Sequence, residues 1–354
     1  MSFMSLLNVV YWLLTSIKAW WNLCDGRRVK TEKRDPPLIR LPAELIDRIS
    51  NELSPASRLI LSQTCRSLHD ILGKNALAAR FSRDDCCEYL AAIARQRPDY
   101  WVCEVCIALH GAVTIDTPER PCVLICPEGP QRWRKAGYGQ RHRLDGRLLQ
   151  LDHRHIQLAL KYTRLRHRGY REYLKNLLAP YVDSNFETYT WPYRQSNVLE
   201  VHYSAFPKIV MGHDGNLRYL LLSVWSYREG QKPLSLAAMG DLKICPHLML
   251  VYGARRGVGP EGGSLKEILE SDFFGGGSDD RSGRYFCRLC PTDLCVMKSP
   301  GCLVLSAWQD LGSEGSPTDL SWKVHVLNTS RNRRFGLPSL SHEPGSVFAL
   351  YHKE

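Results

Sequence analysis

The stretch LPAELIDRISNELSPASRLILSQTCRSLHDIL, residues 41–72, decides how the first part of the chain folds. Leu45, Ile49 and Leu53 recur every four residues, which is the spacing of one face of a helix. Pro42 suits the first turn of that helix, because its missing N–H would have no partner there anyway. The stretch therefore predicts a short helix that begins near its Leu-Pro opening.

Two more helices are predicted in the same stretch. Ser54 followed by a proline is a cap-and-start signal for a second helix. Cys65, Leu68 and Leu72 share one face of a third helix, and Gly73 is expected to end it. Three such short helices bury little apolar surface by themselves, so we expect either the rest of the chain or another protein to cover them.

Residues 39–73 resemble an F-box, the three-helix motif that docks onto the Skp-family adaptor of cullin-based ubiquitin ligases. The resemblance rests on the Leu-Pro opening, the apolar helix positions, the Ser-Pro step and the segment TCRSLHDIL. It implies that one set of apolar positions contacts the adaptor. Those positions are Leu41, Pro42, Leu45, Ile49, Leu61, Cys65 and Leu68.

The later part of the chain resembles the bodies of a large group of filamentous-fungal F-box proteins. The segments that carry this resemblance include DYWVCEVCIALH, LDHRHIQLALKYTRL, CPHL, CRLCPTDLCV and EPGSVFALY, in this order. The resemblance implies the architecture of the body, and it identifies no substrate.

Composition and length set the broad class. The chain has 354 residues, of which 44% are hydrophobic and 23% charged, as in an ordinary soluble globular protein with one or two domains. Its 13 cysteines include two CxxC pairs. In a reducing compartment such pairs hold metal more often than they form disulfides, so the cytoplasm or the nucleus is expected.

The N-terminal leader, residues 1–36, is apolar from Phe3 to Ile17. It lacks a basic leading region and a small-residue cleavage site, so it is not expected to be a signal peptide. An interfacial helix, membrane tethering through residues 3–23 and a leader without fixed structure all remain open.

Cysteines and histidines with metal-ligand spacing form two candidate zinc sites. A CxxC pair is a favoured half-site because its two sulfurs turn towards one point. The first set has Cys122 or Cys126 as its fourth member, and the family-like Cys-Pro dipeptide favours Cys126. The two sets are Cys103, Cys106, His110 and Cys126, then Cys245, His247, Cys287 and Cys290. Four protein ligands leave no open position, so both sites are interpreted as structural.

The remaining pattern predicts a mixed body. Residues 151–165 have the spacing of a helix with one buried stripe, and residues 264–271 predict a second, short helix. Alternating apolar residues predict strands over 197–203 and 218–225, a hairpin about Pro300-Gly301 and another strand at 322–327. The expected fold class is α+β, with an N-terminal three-helix motif and a body of helices and antiparallel sheet.

Most of the net charge lies in residues 131–175, which carry 13 Lys/Arg against 3 Asp/Glu and so +10 of the total of +11. Arg154, Lys161, Arg164 and Arg168 fall on one side of the helix. A solvated helix face is the favoured interpretation, and a patch that attracts nucleic acid is the alternative. His155 is expected in the core because it lies on the apolar stripe, and His153 is expected to be solvated.

These observations predict three parts: a leader and linker at 1–36, the helical motif at 37–80 and a substrate-receptor body at 81–354. The favoured function is the substrate-receptor subunit of a cullin-type ubiquitin ligase, with the Skp-family adaptor, the cullin core and an unidentified protein substrate as partners. The alternatives are a zinc-stabilised nucleic-acid-binding protein and a zinc hydrolase. The sequence contains no phosphate-binding loop, HExxH, GxSxG or dinucleotide fingerprint, so no enzymatic activity is expected.

Overall fold

The computed structural model describes residues 37–78, 81–122, 126, 149–184, 186, 199–230, 233–250, 265–275, 280–326 and 339–353. The predicted leader and the first part of the basic segment lie outside these residues. Within them the fold is α+β, as predicted: helices come first, and a body of helices and antiparallel sheet follows. The proposed domain boundaries stay predictions.

The helices fall into an N-terminal group and helices of the body. Two 3₁₀ turns, Pro37–Arg40 and Arg168–Tyr170, and a π turn, Glu270–Phe274, accompany them. The helices are α1 Ala43–Asn51, α2 Pro55–Ser62, α3 Arg66–Ala78, α4 Arg83–Arg95, α5 His153–Leu165, α6 Arg171–Leu177, α7 Leu236–Met239, α8 Leu265–Leu269, α9 Leu320–Val326 and α10 Ser346–His352.

All strand pairings are antiparallel. The main sheet has six strands in the order β3-β4-β5-β10-β9-β8, and β1-β2 and β6-β7 form two small hairpins. The strands are β1 Tyr100–Cys103, β2 Ala108–Gly111, β3 Tyr181–Asp183, β4 Leu199–Met211, β5 Leu217–Glu229, β6 Leu242–Lys243, β7 Met249–Leu250, β8 Arg281–Phe286, β9 Thr292–Ser299 and β10 Cys302–Ser313.

The core lies on the inner face of the main sheet. Alternate residues of β5, among them Tyr219, Trp225 and Tyr227, pack there with Ile156 and Leu160 of α5. The intervening residues of each strand form the outer face, because successive side chains of a strand point to opposite sides. The predicted alternating segments therefore do form strands over the described residues 199–203 and 218–225, and a tight turn through Gly215 joins the two strands.

Two sequence predictions about local structure were wrong. Helix α3 continues through Gly73 to Ala78, because a glycine inside a helix costs only about 1 kcal/mol relative to alanine. The segment 322–327 was predicted as a strand, but Leu320–Val326 is helix α9. Asp319 starts that helix: its carboxylate accepts the N–H of Ser316 at 2.9 Å, and its carbonyl accepts the N–H of Lys323 at 2.9 Å.

In the described part of the chain, no helix is both long enough and apolar enough to cross a membrane.

Candidate functional site: an exposed helical face and two cysteine clusters

Helix α1 has apolar side chains on two faces, and only one of them is covered. Ile46 is 1% exposed and packs against Leu72 of α3. On the other face Leu45 and Ile49, four residues apart, remain 43% and 44% exposed. Leu41, just before the N-cap of the helix, is 37% exposed, and these three residues are called here the exposed stripe.

The other predicted adaptor-binding residues differ in exposure. Pro42 is exposed at the N-cap of α1, and Leu61 and Cys65 are partly buried against the small core between α1 and α3. Leu68 is only 3% exposed and lies in the small core between α1 and α3. The chain's own helices cover Leu68 in this structure, and its contact with an adaptor stays a prediction.

Helix α2 is attached to the body through α4. Ser54 caps α2 by accepting the N–H of Ser57 at 3.1 Å. The hydroxyls of both serines donate to Glu88 of α4, at 2.9 and 3.1 Å. Leu59 and Tyr89 pack together in the same interface. The three N-terminal helices are thus fixed to the body on one side while the stripe on α1 stays uncovered.

The first cysteine cluster brings together the set selected from the sequence: Cys103, Cys106, His110 and Cys126, whose ligand atoms all lie within 4.8 Å of one another. The β1-β2 hairpin supplies three of them, with Cys103 paired to Ala108 in register. Cys106 Sγ lies 3.0 Å from His110 Nε2, and Cys103 Sγ lies 3.8 Å from Cys126 Sγ. Of the two alternatives for the fourth member, the structure places Cys126 in the cluster.

The turn of this hairpin contains a residue in an unusual conformation. Ile107 has φ of +53°, in the left-handed region that β-branched residues strongly disfavour. Its N–H donates to the carbonyl of Cys103 at 3.0 Å, which closes the loop around the two cysteines. Its side chain packs against the small core of Leu90 and Val102. This packing helps to hold the loop in the shape that directs both sulfurs to one point.

The second cluster contains the other predicted set: Cys245, His247, Cys287 and Cys290, again with all ligand atoms within 4.8 Å of one another. All four side chains are buried. The turn between β6 and β7 carries the CxH pair, and the turn between β8 and β9 carries the CxxC pair. Gln309 of β10 donates to the carbonyl of Ile244 at 3.1 Å and so ties the first half-site to the main sheet.

Thiolate formation is favoured at one cysteine of each cluster. Hydrogen bonds from Cys106 and His110 outweigh burial and lower the pKa of Cys103 to about 4. Hydrogen bonds from Cys245 and Cys290 likewise lower the pKa of Cys287 well below that of a free thiol. Thiolates are the form in which cysteine binds metal, so both clusters have the donor chemistry of a metal site with sulfur and imidazole ligands.

The basic residues of α5 do not form the predicted solvated face. Arg154 and Lys161 are only 4% and 2% exposed, so the prediction is wrong for both. Arg164 is partly covered by Glu314, with Nε and Oε2 2.6 Å apart, and Arg168 is exposed. The reason is that partners inside the fold bind these cations. Lys161 Nζ, for example, donates to the carbonyls of Arg97 and Tyr100.

Asp116 is the residue that the sequence analysis missed, and it binds Arg154 with two hydrogen bonds of 2.7 and 3.1 Å. Its carboxylate also accepts the N–H of Cys122 and lies 3.3 Å from His155 Nε2. Burial alone would raise the pKa of Asp116, but His155 and Arg154 together outweigh burial and lower it. A lone aspartate in an irregular loop gave no signal for this role.

The two histidines of α5 are both buried. His155 belongs to the interior, as predicted, and its Nδ1 accepts the N–H of Asp152 at 3.2 Å. His153 was predicted to be solvated, but it packs against Trp322 and lies 2.8 Å from Gln157 Nε2. Burial lowers the pKa of His153 to about 3, so this imidazole is neutral at physiological pH.

Comparison with known proteins identifies the class of the N-terminal helices. Residues 38–77 match the F-box domain family, and they span α1, α2 and nearly all of α3. The chain is therefore an F-box domain-containing protein, as predicted, with the general role of an F-box protein. No curated protein and no solved structure matches the chain. The fungal resemblance of the body stays a prediction.

Proposed function

We propose that the protein is the substrate-receptor subunit of a cullin-type ubiquitin ligase and binds the Skp-family adaptor through the exposed stripe of α1. The observation that carries the proposal is the exposure of Leu41, Leu45 and Ile49 within a matched F-box domain. Apolar residues in such a row are most stable when a partner covers them. The body would hold a protein substrate and raise its effective concentration near the ubiquitin-loaded enzyme.

Co-purification with a Skp-family adaptor tests this proposal. We expect the wild-type chain to retain the adaptor and the triple variant Leu41→Ala/Leu45→Ala/Ile49→Ala to lose it, with at least a hundredfold weaker binding. The loss should leave the fold intact, because these side chains have few partners within the chain.

A matched control removes three exposed apolar side chains elsewhere: Ile115→Ala, Val182→Ala and Met211→Ala. This control should bind the adaptor as the wild type does. Failure of the folded wild type to bind any Skp-family adaptor would rule out the proposed role.

We further propose that each cysteine cluster binds one structural zinc ion. Soft sulfur and imidazole ligands favour zinc over magnesium or calcium, and a closed four-ligand site favours stability over catalysis. Cysteine clusters of this kind bind metal in a reducing compartment, so the proposal includes residence in the cytoplasm or the nucleus. The zinc hydrolase alternative needs a site with three protein ligands and an open position, whereas both clusters offer four.

Metal analysis and hydrogen exchange test the zinc proposal. We expect two zinc ions per wild-type chain and about one in Cys290→Ser, whereas Cys295→Ser, outside the clusters, keeps both. A strong chelator should first lower the hydrogen-exchange protection around residues 287–293, since bound metal contributes folding energy there. Unchanged protection together with absence of metal in the purified chain would contradict the proposal.

The nucleic-acid alternative used the basic segment 131–175, of which residues 131–148 lie outside the described part of the chain. Because Arg154 and Lys161 are buried, and Arg164 is paired with Glu314, these residues offer little positive charge to a polyanion. The described residues therefore favour the receptor proposal over this alternative.

A further inference from the structure

The outer face of the main sheet carries helix α10, which belongs to the C-terminal segment, residues 339–353. Trp308 of β10 points towards this helix, whereas its neighbour Ala307 points into the core on the inner face. Val347 and Leu350 of α10 are buried, but neither they nor Trp308 belong to that core. The contact is thus a small interface of its own, separated from the core by the sheet.

The polar groups of the sheet are placed at the two ends of α10. Asp293 accepts the N–H groups of Gly345 and Phe348, at 3.0 and 2.9 Å. At the other end Lys208 Nζ donates to the carbonyl of Tyr351 at 2.7 Å. A carboxylate at the N-terminus and an ammonium at the C-terminus complement the helix dipole. These three hydrogen bonds go to backbone groups, so another short helix could make them equally well. Side chains of the segment add two further contacts: His342 Nε2 lies 3.1 Å from Asp293 Oδ1, and the Tyr351 hydroxyl donates to the carbonyl of Phe206 at 3.1 Å.

Phe348 supplies the main side-chain contact. Its ring lies edge-on to Trp308, with centroids 4.9 Å apart. The guanidinium of Arg284 lies 4.8 Å from the centroid of the same ring. Tryptophan edge contacts and cation–π contacts both select an aromatic side chain at this position of the helix.

The fit of α10 to this face is incomplete. The indole N–H of Trp308 is buried and has no hydrogen-bond acceptor among the described residues. A buried donor without an acceptor is unfavourable, and natural interfaces rarely keep one. A helix that brought a side-chain oxygen to this position would satisfy the donor, and α10 does not do so.

We propose that this face, formed by Asp293, Lys208, Trp308 and Arg284 and called here the helix cradle, is the surface on which the receptor binds its substrate. The substrate presents a short helix with an aromatic side chain and a side-chain oxygen acceptor, and α10 occupies the helix cradle in its absence. This inference rests on the proposed function as a substrate receptor.

Competition between α10 and a free peptide tests the helix cradle. The probe is a fluorescent peptide with the sequence of residues 339–353, and the receptor is the full chain carrying Phe348→Ala. We expect the peptide to bind this variant at least tenfold more tightly than it binds the wild type, because the intact α10 competes in the wild type. A peptide with alanine in place of its phenylalanine should bind at least tenfold more weakly.

Two further variants keep the test decisive. Lys208→Met removes the hydrogen bond at the C-terminal end of α10. We expect it to increase peptide binding less than Phe348→Ala does, and it provides a second test if Phe348→Ala folds poorly. Tyr100→Ala removes an exposed aromatic side chain outside the helix cradle and should bind the peptide as weakly as the wild type. Hydrogen exchange of residues 346–352 reports whether α10 is released in each variant.

Equal peptide affinity for the wild type, Phe348→Ala and Lys208→Met would overturn the proposal of the helix cradle, whether or not α10 is released. Adaptor co-purification, measured on the same samples, separates the two proposals. A chain that retains the adaptor but shows no gain in peptide binding contradicts the helix cradle alone. A chain that gains peptide binding but never binds the adaptor contradicts the proposed function.

Discussion

Helices α1 and α5 distribute their side chains in opposite ways. α1 exposes the apolar residues Leu45 and Ile49, whereas α5 buries the charged residues Arg154 and Lys161. A buried charge persists only with partners, and α5 finds those partners inside its own chain. An exposed apolar row gains stability only from another molecule. The contrast separates an apolar surface that is open to a partner from charged side chains that already have their partners.

The largest expected effect on stability concerns the buried charged residues of α5. Arg154→Ala leaves the buried carboxylate of Asp116 without its main partner, so we expect the free energy of unfolding to fall by about 3–5 kcal/mol. Denaturant titration measures this change. Arg168→Ala, at an exposed position of the same basic segment, should stay within about 0.5 kcal/mol of the wild type. A loss below about 1 kcal/mol for Arg154→Ala would show that the ion pair contributes little.

The second prediction uses two isoleucines of α1 that face opposite ways. Ile46→Ala opens a cavity in the core between α1 and α3, so we expect it to lower the free energy of unfolding by about 3 kcal/mol. Ile49→Ala should change it by less than about 0.5 kcal/mol and instead weaken adaptor binding. Thermal or denaturant unfolding gives both values. Similar stability losses in the two variants would mean that Ile49 is covered by the chain itself.

The third prediction concerns pH and is the smallest. Burial lowers the pKa of Lys161 to about 8, against 10.5 for the ordinary side chain. Between these two pH values the unfolded chain binds the proton more tightly than the folded chain, so stability rises with pH. Lys161→Met lacks this titration. We expect the wild type to gain about 1–3 kcal/mol relative to the variant between pH 8 and pH 10.5.

Denaturant unfolding at several pH values measures this difference, and titrations of all other groups cancel between the two proteins. Identical pH dependence in both would show that Lys161 keeps its ordinary pKa in the fold.

Local spacing explains which features could be predicted from the sequence. Half of the first cluster and all of the second could be predicted because a CxxC or CxH pair places two possible metal donors within one turn. Helix periodicity predicted α1 and α5, the Ser54-Pro55 start signal predicted α2, and alternation predicted the β4-β5 hairpin. In each case neighbours within a few residues determine the structure.

The wrong predictions about exposure have a common cause, because the partners of these residues are distant along the chain. Arg154 is buried because Asp116 lies opposite it, 38 residues earlier in an irregular loop. Lys161 is held by backbone carbonyls, and because every residue has one, the sequence does not show which of them will bind a lysine. Residue type and spacing alone cannot distinguish these cases.

The loop that contains Ile107 lies next to helix α4, which also contacts the F-box. The side chain of Ile107 packs with Leu90 of α4, and the neighbouring residue Tyr89 packs with Leu59 of α2. Helix α4 thus contacts the loop of the first cysteine cluster through Leu90 and helix α2 of the F-box through Tyr89. We expect a loss of order at that loop to reach the F-box through α4.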